Sequence, residues 1–461
     1  MRKLIITVAI VGLLAALLVP LTVGAQAGGT WVSSIQVMNV GTGPASVKVH
    51  FYAEAGNEVT LVQNTALAVG SSWNIYTPDI SGLTAGFKGS VVVESDQPVV
   101  AIGSENVTYS NGNIGVSQFS GMAASDIGLN FYLPNVNKTF GGSGWSTRIT
   151  IQNATTAANA VTVRYYNGDG TERAAAVQTV NLAANGSATL EQSANTNLPT
   201  GWLGAATVTG GGDVAVVVDV MSADGRLETY NGIDAGDMTL FIPTLLSGFG
   251  SNLWNTSFQV FNPSSTLTAN ITIDYYTSGS ATPVKTVTAA LGPLQAINRY
   301  QPNDGLGSGW IGSVRIVSSD NPVVAVASQS SGAAGTSKAS IYNAFGSGAT
   351  TAYLPTVLRN FGGSNYVTSF QIMNVGATPA SVTVQYFTPG STTPVKTVNL
   401  SIDPYNSVNR YQPDADPELG AGWQGSVKVT SDVAVVVIGS QNALNRSGDT
   451  VGQYDGFAVA P

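Results

Sequence analysis

The chain has 461 residues, of which 10% are charged, with 18 basic against 26 acidic side chains, one histidine and no cysteine. A net charge of −8 makes nucleic acid and anionic lipid surfaces poor partners, and a hydrophobic content of 43% argues against disorder. Disulfides are excluded, so each folding unit must bury a core of its own, which takes roughly 60 residues or more.

The chain opens MRK-LIITVAIVGLLAALLVPLTVG-AQA, a basic start, an apolar run and an Ala25-Gln26-Ala27 arrangement. This predicts a secretory leader over residues 1–27, cut after Ala27, and an extracellular or cell-surface location. The run from Leu4 to Val23 is also long enough to span a bilayer if it is kept. No second apolar stretch of that length follows.

The rest reads as one unit written four times, the first thing to look for in a chain of this kind. Blocks begin WVSSIQVMNV, WSTRITIQNA, WNTSFQVFNP and YVTSFQIMNV, with a shared asparagine at Asn39, Asn153, Asn262 and Asn374. A glycine-flanked aromatic, at Phe87, Trp202, Trp310 and Trp423, follows that asparagine by 48, 49, 48 and 49 residues. The blocks are taken as residues 28–135, 136–244, 245–356 and 357–461. Short connectors, NVNKTF, TLLSGF and TVLRNF, follow Pro134, Pro243 and Pro355. Leu245, Leu246, Val357 and Leu358 are placed to pack between units, while Asn137 and Lys138 make the first connector look wetter. Stacked end to end, four such units would make a rod on the order of 140 Å.

Within a block the apolar period is two. VKVHFY, VTVRYY, ITIDYY and VTVQYF alternate apolar and polar residues, as strands with one buried face do. PVVAIGS and VAVVVDV are the more continuous runs of strands covered on both faces. Some seven short strands per block predict an all-β fold of four tandem immunoglobulin-like antiparallel sandwiches.

Few residues suit catalysis. His50 corresponds to Arg164, Asp274 and Gln385 in the other blocks, so its chemistry is not kept and a solvated strand face accounts for it. An acid recurs at Asp96, Asp213, Asp320 and Asp432 between two strand patterns, where it can cap a turn. A loop ahead of the aromatic marker carries Asp79, Asp304, Asp414, Asp416 and Glu418, and calcium is the ion those acids could hold. Trp202, Trp310 and Trp423 either fill the core or present flat faces to sugar rings. With Asp304 and Asp414 they form the candidate ligand-binding set, and no catalytic residue is assigned.

The segment YLPTVLRNFGG followed by QIMNVG, residues 353–376, resembles repeats of exported proteins of Chloroflexus-like filamentous bacteria, and the chain as a whole resembles secreted tandem β-sandwich proteins of bacterial surfaces. That resemblance implies a surface or filament-associated role and supplies no functional residues. The expectation is a non-enzymatic structural or adhesive protein whose partners are other copies of itself or cell-surface polymers, including glycans. The alternative is a carbohydrate-binding surface protein that uses loop aromatics and acids.

Overall fold

A computed structural model describes residues 17–21, 29–332 and 338–458. They form strands joined by turns and a few short helical turns such as Gln412–Ala415. The third block shows how the alternating sequence folds. One antiparallel sheet runs Thr239–Ser247, Trp310–Ser318, Ala269–Thr277, Lys285–Leu291 in spatial order, and a second runs Ala296–Tyr300, Trp254–Phe261, Val324–Ser331, Ala339–Asn343. Ile271, Ile273 and Tyr275 point into the space between the sheets with Val314, Ile316, Phe258 and Val260, while Asn270 is exposed. Period-two patterning thus becomes one dry face and one wet face per strand.

The expected block boundaries at 135, 244 and 356 fall inside single strands, Gly128–Lys138, Thr239–Ser247 and Ala349–Arg359, which pair with the sheet of the following block. Each bulges around its proline, with register shifts between Gly204 and Ala206, Ile242 and Leu245, and Leu354 and Val357. Proline has no N–H to give the ladder, so a bulge is where a strand can hold it. The connectors are therefore not tethers but the far halves of these strands. Val136, Leu245 and Val357 are fully buried, and Asn137, expected to be wet, is 3% exposed with its amide on Asn135 Oδ1 at 2.7 Å.

The first block completes its sheet with a segment taken above as leader. Leu17–Leu21 runs antiparallel to Gly89–Ser95 with Val19 opposite Val91. Leu133 opposite Ala206, Ile242 opposite Val314 and Leu354 opposite Val427 are the matching pairs. Pro20 lies eleven residues before Trp31, as Pro134 does before Trp145, Pro243 before Trp254 and Pro355 before Tyr366. The remainder of the expected leader, with the cut at Ala27, lies outside the described residues. A chain beginning at Gly28 is expected to melt several degrees below the full chain in scanning calorimetry, because a sheet edge and the apolar face beside it go to water. Equal melting temperatures would show that Leu17–Leu21 contributes nothing to the fold.

The blocks do not run end to end. Ile114–Ser120 packs on Leu227–Asn231, that strand on Ala339–Asn343, that one on Val451–Asp455, and the last back on Ile114–Ser120. Each core borrows aliphatic residues from another block: Val217 enters the first, Val326 and Ile341 the second, Ile438 the third and Ile102 the fourth. Polar contacts follow the same circuit. Asn231 Nδ2 donates to Ser120 O at 2.8 Å, Asn343 Nδ2 to Asn231 O at 2.9 Å, and Ser120 Oγ to Asp455 O at 2.9 Å. Farther out, Ser187 N donates to Glu54 O, Ala296 N to Gly168 O, Asn406 Nδ2 to Ser280 O, and Gly390 N to Ser71 Oγ. The last of these joins the fourth block to the first, so the extended rod is replaced by a closed circuit. At the contacting turns Asn185, Leu294 and Tyr405 hold positive φ, where Gly70 stands in the first block. The strain is tolerated because the turn is packed: Tyr405 lies 5.3 Å from the Tyr276 ring and under Arg315 at 4.7 Å.

Candidate functional site

The recurring residues of the sequence are mostly used up inside the blocks. Asn39, Asn153, Asn262 and Asn374 are fully buried. Each donates its amide to two or three carbonyls, as Asn374 does to Thr378 O at 2.8 Å and Ile402 O at 2.9 Å, and accepts from a backbone N–H two residues on. They clamp the turn that follows the first long strand. The second glycine of the aromatic marker is there for close approach: a Cβ on Gly204, Gly312 or Gly425 would lie 2.2, 2.1 or 2.1 Å from a neighbouring strand's carbonyl oxygen. Asp96 and Asp432 accept from Ser46 N and Ser381 N at 2.7 Å, the turn role expected of them.

The predicted ligand set does not converge. Trp202 is 6% exposed and packs edge-on against Tyr165, with centroids 6.2 Å apart, and its Nε1 donates to Asn167 Oδ1 at 2.9 Å. Trp310 and Trp423 are half-buried, edge-on against Tyr275 and Tyr386, so all three fill the sandwich end and offer no free platform. Asp304 is buried, accepting from the Tyr275 hydroxyl at 2.7 Å and pairing with Arg299. Asp416 repeats this with Tyr386, Arg410 and Lys396, whose positive charges hold its carboxyl below the usual range although burial opposes them. Asp414 is exposed and apart from these. No group of three or more His, Cys, Asp or Glu side chains placed to hold a metal ion occurs among the described residues. His50 is half-buried between Glu58 and Glu94 of the flanking strands, at 3.1 and 3.5 Å.

The seams between blocks hold what the sequence did not announce. Between the first and second, Arg148 is wholly buried: Nε donates to Asp219 Oδ2 at 2.8 Å, an Nη lies 3.4 Å from Glu105 Oε2, and the guanidinium sits 4.8 Å from the Trp31 ring centroid. The two carboxylates outweigh the cost of burying the cation and keep it charged.

Between the fourth and first blocks the counterparts are small and neutral: Ser34 stands for Arg148, Ser104 for Asp219 and Gln441 for Glu105. Here a cavity of about 190 Å3 opens, lined by the amides of Gln36, Asn74, Asn106, Gln118, Gln424 and Gln441. Phe361 and Tyr366 contribute rings to it, and no ionisable acid or base other than that tyrosine lines it. Gln118 is 5% exposed; its Nε2 donates to Ser104 Oγ at 3.1 Å and Gln441 Oε1 at 3.0 Å, and its Oε1 has no partner among the described residues. A smaller space of about 40 Å3 adjoins, sharing Gln36, Asn74 and Gln424.

Comparison by sequence finds no matching family model and no matching curated protein. Among solved structures the chain is similar to the Thermotoga maritima 1070 protein, at 21% identity over 24% of this chain and 96% of that one, with a TM-score of 0.21. It also aligns with trypsin-activated alpha-2-macroglobulin from Escherichia coli, at 9% identity over 97% of this chain and 42% of that one, TM-score 0.11. The pilus adhesin SpaC from Lactobacillus rhamnosus GG aligns at 10% identity over 92% and 57%, TM-score 0.09. Scores this low do not define a shared fold.

No helix among the described residues is long and apolar enough to cross a membrane. Chemically, the seam cavity can donate and accept hydrogen bonds in many directions and offers no counter-charge. No sequence signal marked it, because its lining comes from strands far apart in the chain and the residues are ordinary Gln, Asn and Ser.

Proposed function

We propose that the chain is a non-enzymatic extracellular protein of four immunoglobulin-like sandwiches closed about a common axis, acting as a structural or adhesive element at a cell surface. The observation that carries this is the fate of the recurring residues. The asparagine clamps, the glycine-flanked aromatics and the turn aspartates Asp96, Asp320 and Asp432 are engaged within their own blocks, which leaves the outward strand faces, rich in Thr, Ser and Asn, as the repeated feature available to a partner. Four similar faces on one rigid body raise avidity for a polymeric surface without any strong single site. The basic start and apolar run supply export, with Leu17–Leu21 staying on the chain as a strand of the first block.

The test is binding of labelled full chain to isolated envelopes of the producing cell, with the supernatant assayed for released reducing sugar. Saturable retention without release is expected. Absence of retention would sink the adhesive role, and release of sugar would replace it with hydrolysis.

A further inference from the structure

We propose that the cavity between the first and fourth blocks is a binding site for a neutral sugar ring. The volume of about 190 Å3 equals about six waters, the scale of one monosaccharide and well below that of a drug-sized ligand. A carboxamide offers two donors and an acceptor on one planar head, so a ring of amides matches hydroxyl groups, each of which donates and accepts at once. Gln36, Asn74, Asn106 and Gln424 line the space and make no side-chain hydrogen bond to the described chain, so their heads are available to a ligand.

Gln118 also lines the space. Its Nε2 is fixed by Ser104 and Gln441 while Oε1 is buried and unpartnered. That oxygen is closed to solvent, as are the unpartnered Oε1 atoms of Gln259, Gln371 and Gln453, so the free carboxamides of Gln36, Asn106 and Gln424 carry the recognition. Phe361 and Tyr366 supply the apolar surface that the C–H face of a sugar needs.

Charge decides the subclass. The lining contains no Lys, Arg, His, Asp or Glu, so a uronate or a phosphorylated sugar would be desolvated without a counter-ion. The corresponding place at the first seam is filled by Arg148 with Asp219 and Glu105. The seam that joins the two ends of the chain lacks that cluster and has open space in its place.

The site rests on seam geometry alone and does not depend on the adhesive role. The full chain would be titrated by calorimetry and ligand-observed NMR with glucose, galactose, mannose, N-acetylglucosamine and glucuronate. At least one neutral sugar is expected to bind, with glucuronate at least tenfold weaker. Asn106→Ala and Gln424→Ala, which break no internal bond, should each weaken binding at least tenfold with the melting temperature unchanged. Failure of all four neutral sugars to bind, glucuronate binding as well as they do, or affinity unaltered in both alanine variants would each overturn the assignment.

Discussion

Arg148→Ala is expected to destabilise the chain by about 3–5 kcal/mol. The guanidinium is the counter-ion of Asp219 and Glu105, all three are wholly buried, and removing it strands two carboxylates in a dry seam. Thr229 Oγ1, at 2.7 Å from Asp219 Oδ1, can donate a hydrogen bond but no charge. Urea unfolding read by tryptophan fluorescence measures the loss. A cost below about 1 kcal/mol would mean that the seam admits water, since only solvation leaves unpaired carboxylates cheap. Replacing all three with neutral residues of like volume, Arg148→Met with Asp219→Asn and Glu105→Gln, should recover most of the loss.

The second large effect is on pH. Three acids sit where the four blocks meet, Glu228 and Asp449 buried and Asp455 half-buried. Glu228 accepts from Ser328 Oγ at 2.6 Å, and burial pushes it up to about 7. Asp455 is likewise pushed up to about 7 by burial. Asp449 accepts backbone N–H groups of Leu227 at 2.9 Å and Ala339 at 3.1 Å, yet burial, with Glu228 nearby, raises it well above the usual range. Lys338 also faces Asp449, and burial lowers that lysine.

An acid whose folded pKa lies above its unfolded value binds its proton more tightly in the fold. Between pH about 4 and pH about 7 the native chain then carries more protons than the unfolded one, so stability falls as pH rises, by about 1.4 kcal/mol per pH unit for each such group. Asp416 has the opposite sign: its folded value is depressed, so its contribution is present above the unfolded pKa and fades as pH falls below about 4. The melting temperature is therefore expected to peak near pH 4–5 and to drop by pH 8. Asp455→Asn, which installs the residue found at Asn231 and Asn343, and Glu228→Gln should flatten that drop. A melting temperature that is constant or rises from pH 5 to pH 8 would show that these acids are not protonated in the fold.

The candidate site was less visible in sequence than the fold. Trp202, Trp310 and Trp423 stand out because tryptophan is rare and repeated, but repetition at one strand position reflects a shared packing need, and the edge-on contacts with Tyr165, Tyr275 and Tyr386 meet it. Asp304 and Asp416 looked like loop acids and are instead the buried partners of tyrosine and arginine. What does differ between blocks, Ser34 against Arg148 and Gln441 against Glu105, is where a site can arise in a repeated chain, since positions the fold does not demand are free to diverge.

By itself the sequence determined the strands and their buried faces, because side chains alternate across a strand and the apolar period of two is a local property. It also held, in the eleven-residue step from Pro20 to Trp31, a sign that Leu17–Leu21 stands in line with the first strands of the other blocks. Only the tertiary structure decided that the fourth block packs on the first, that Arg148, Glu228 and Asp449 are dry, and that a neutral cavity lies at the closing seam. Those outcomes depend on the angle at which one block meets the next. That angle is set by bulged strands and turn packing acting over more than a hundred residues, a sum of many small contacts that no local pattern encodes.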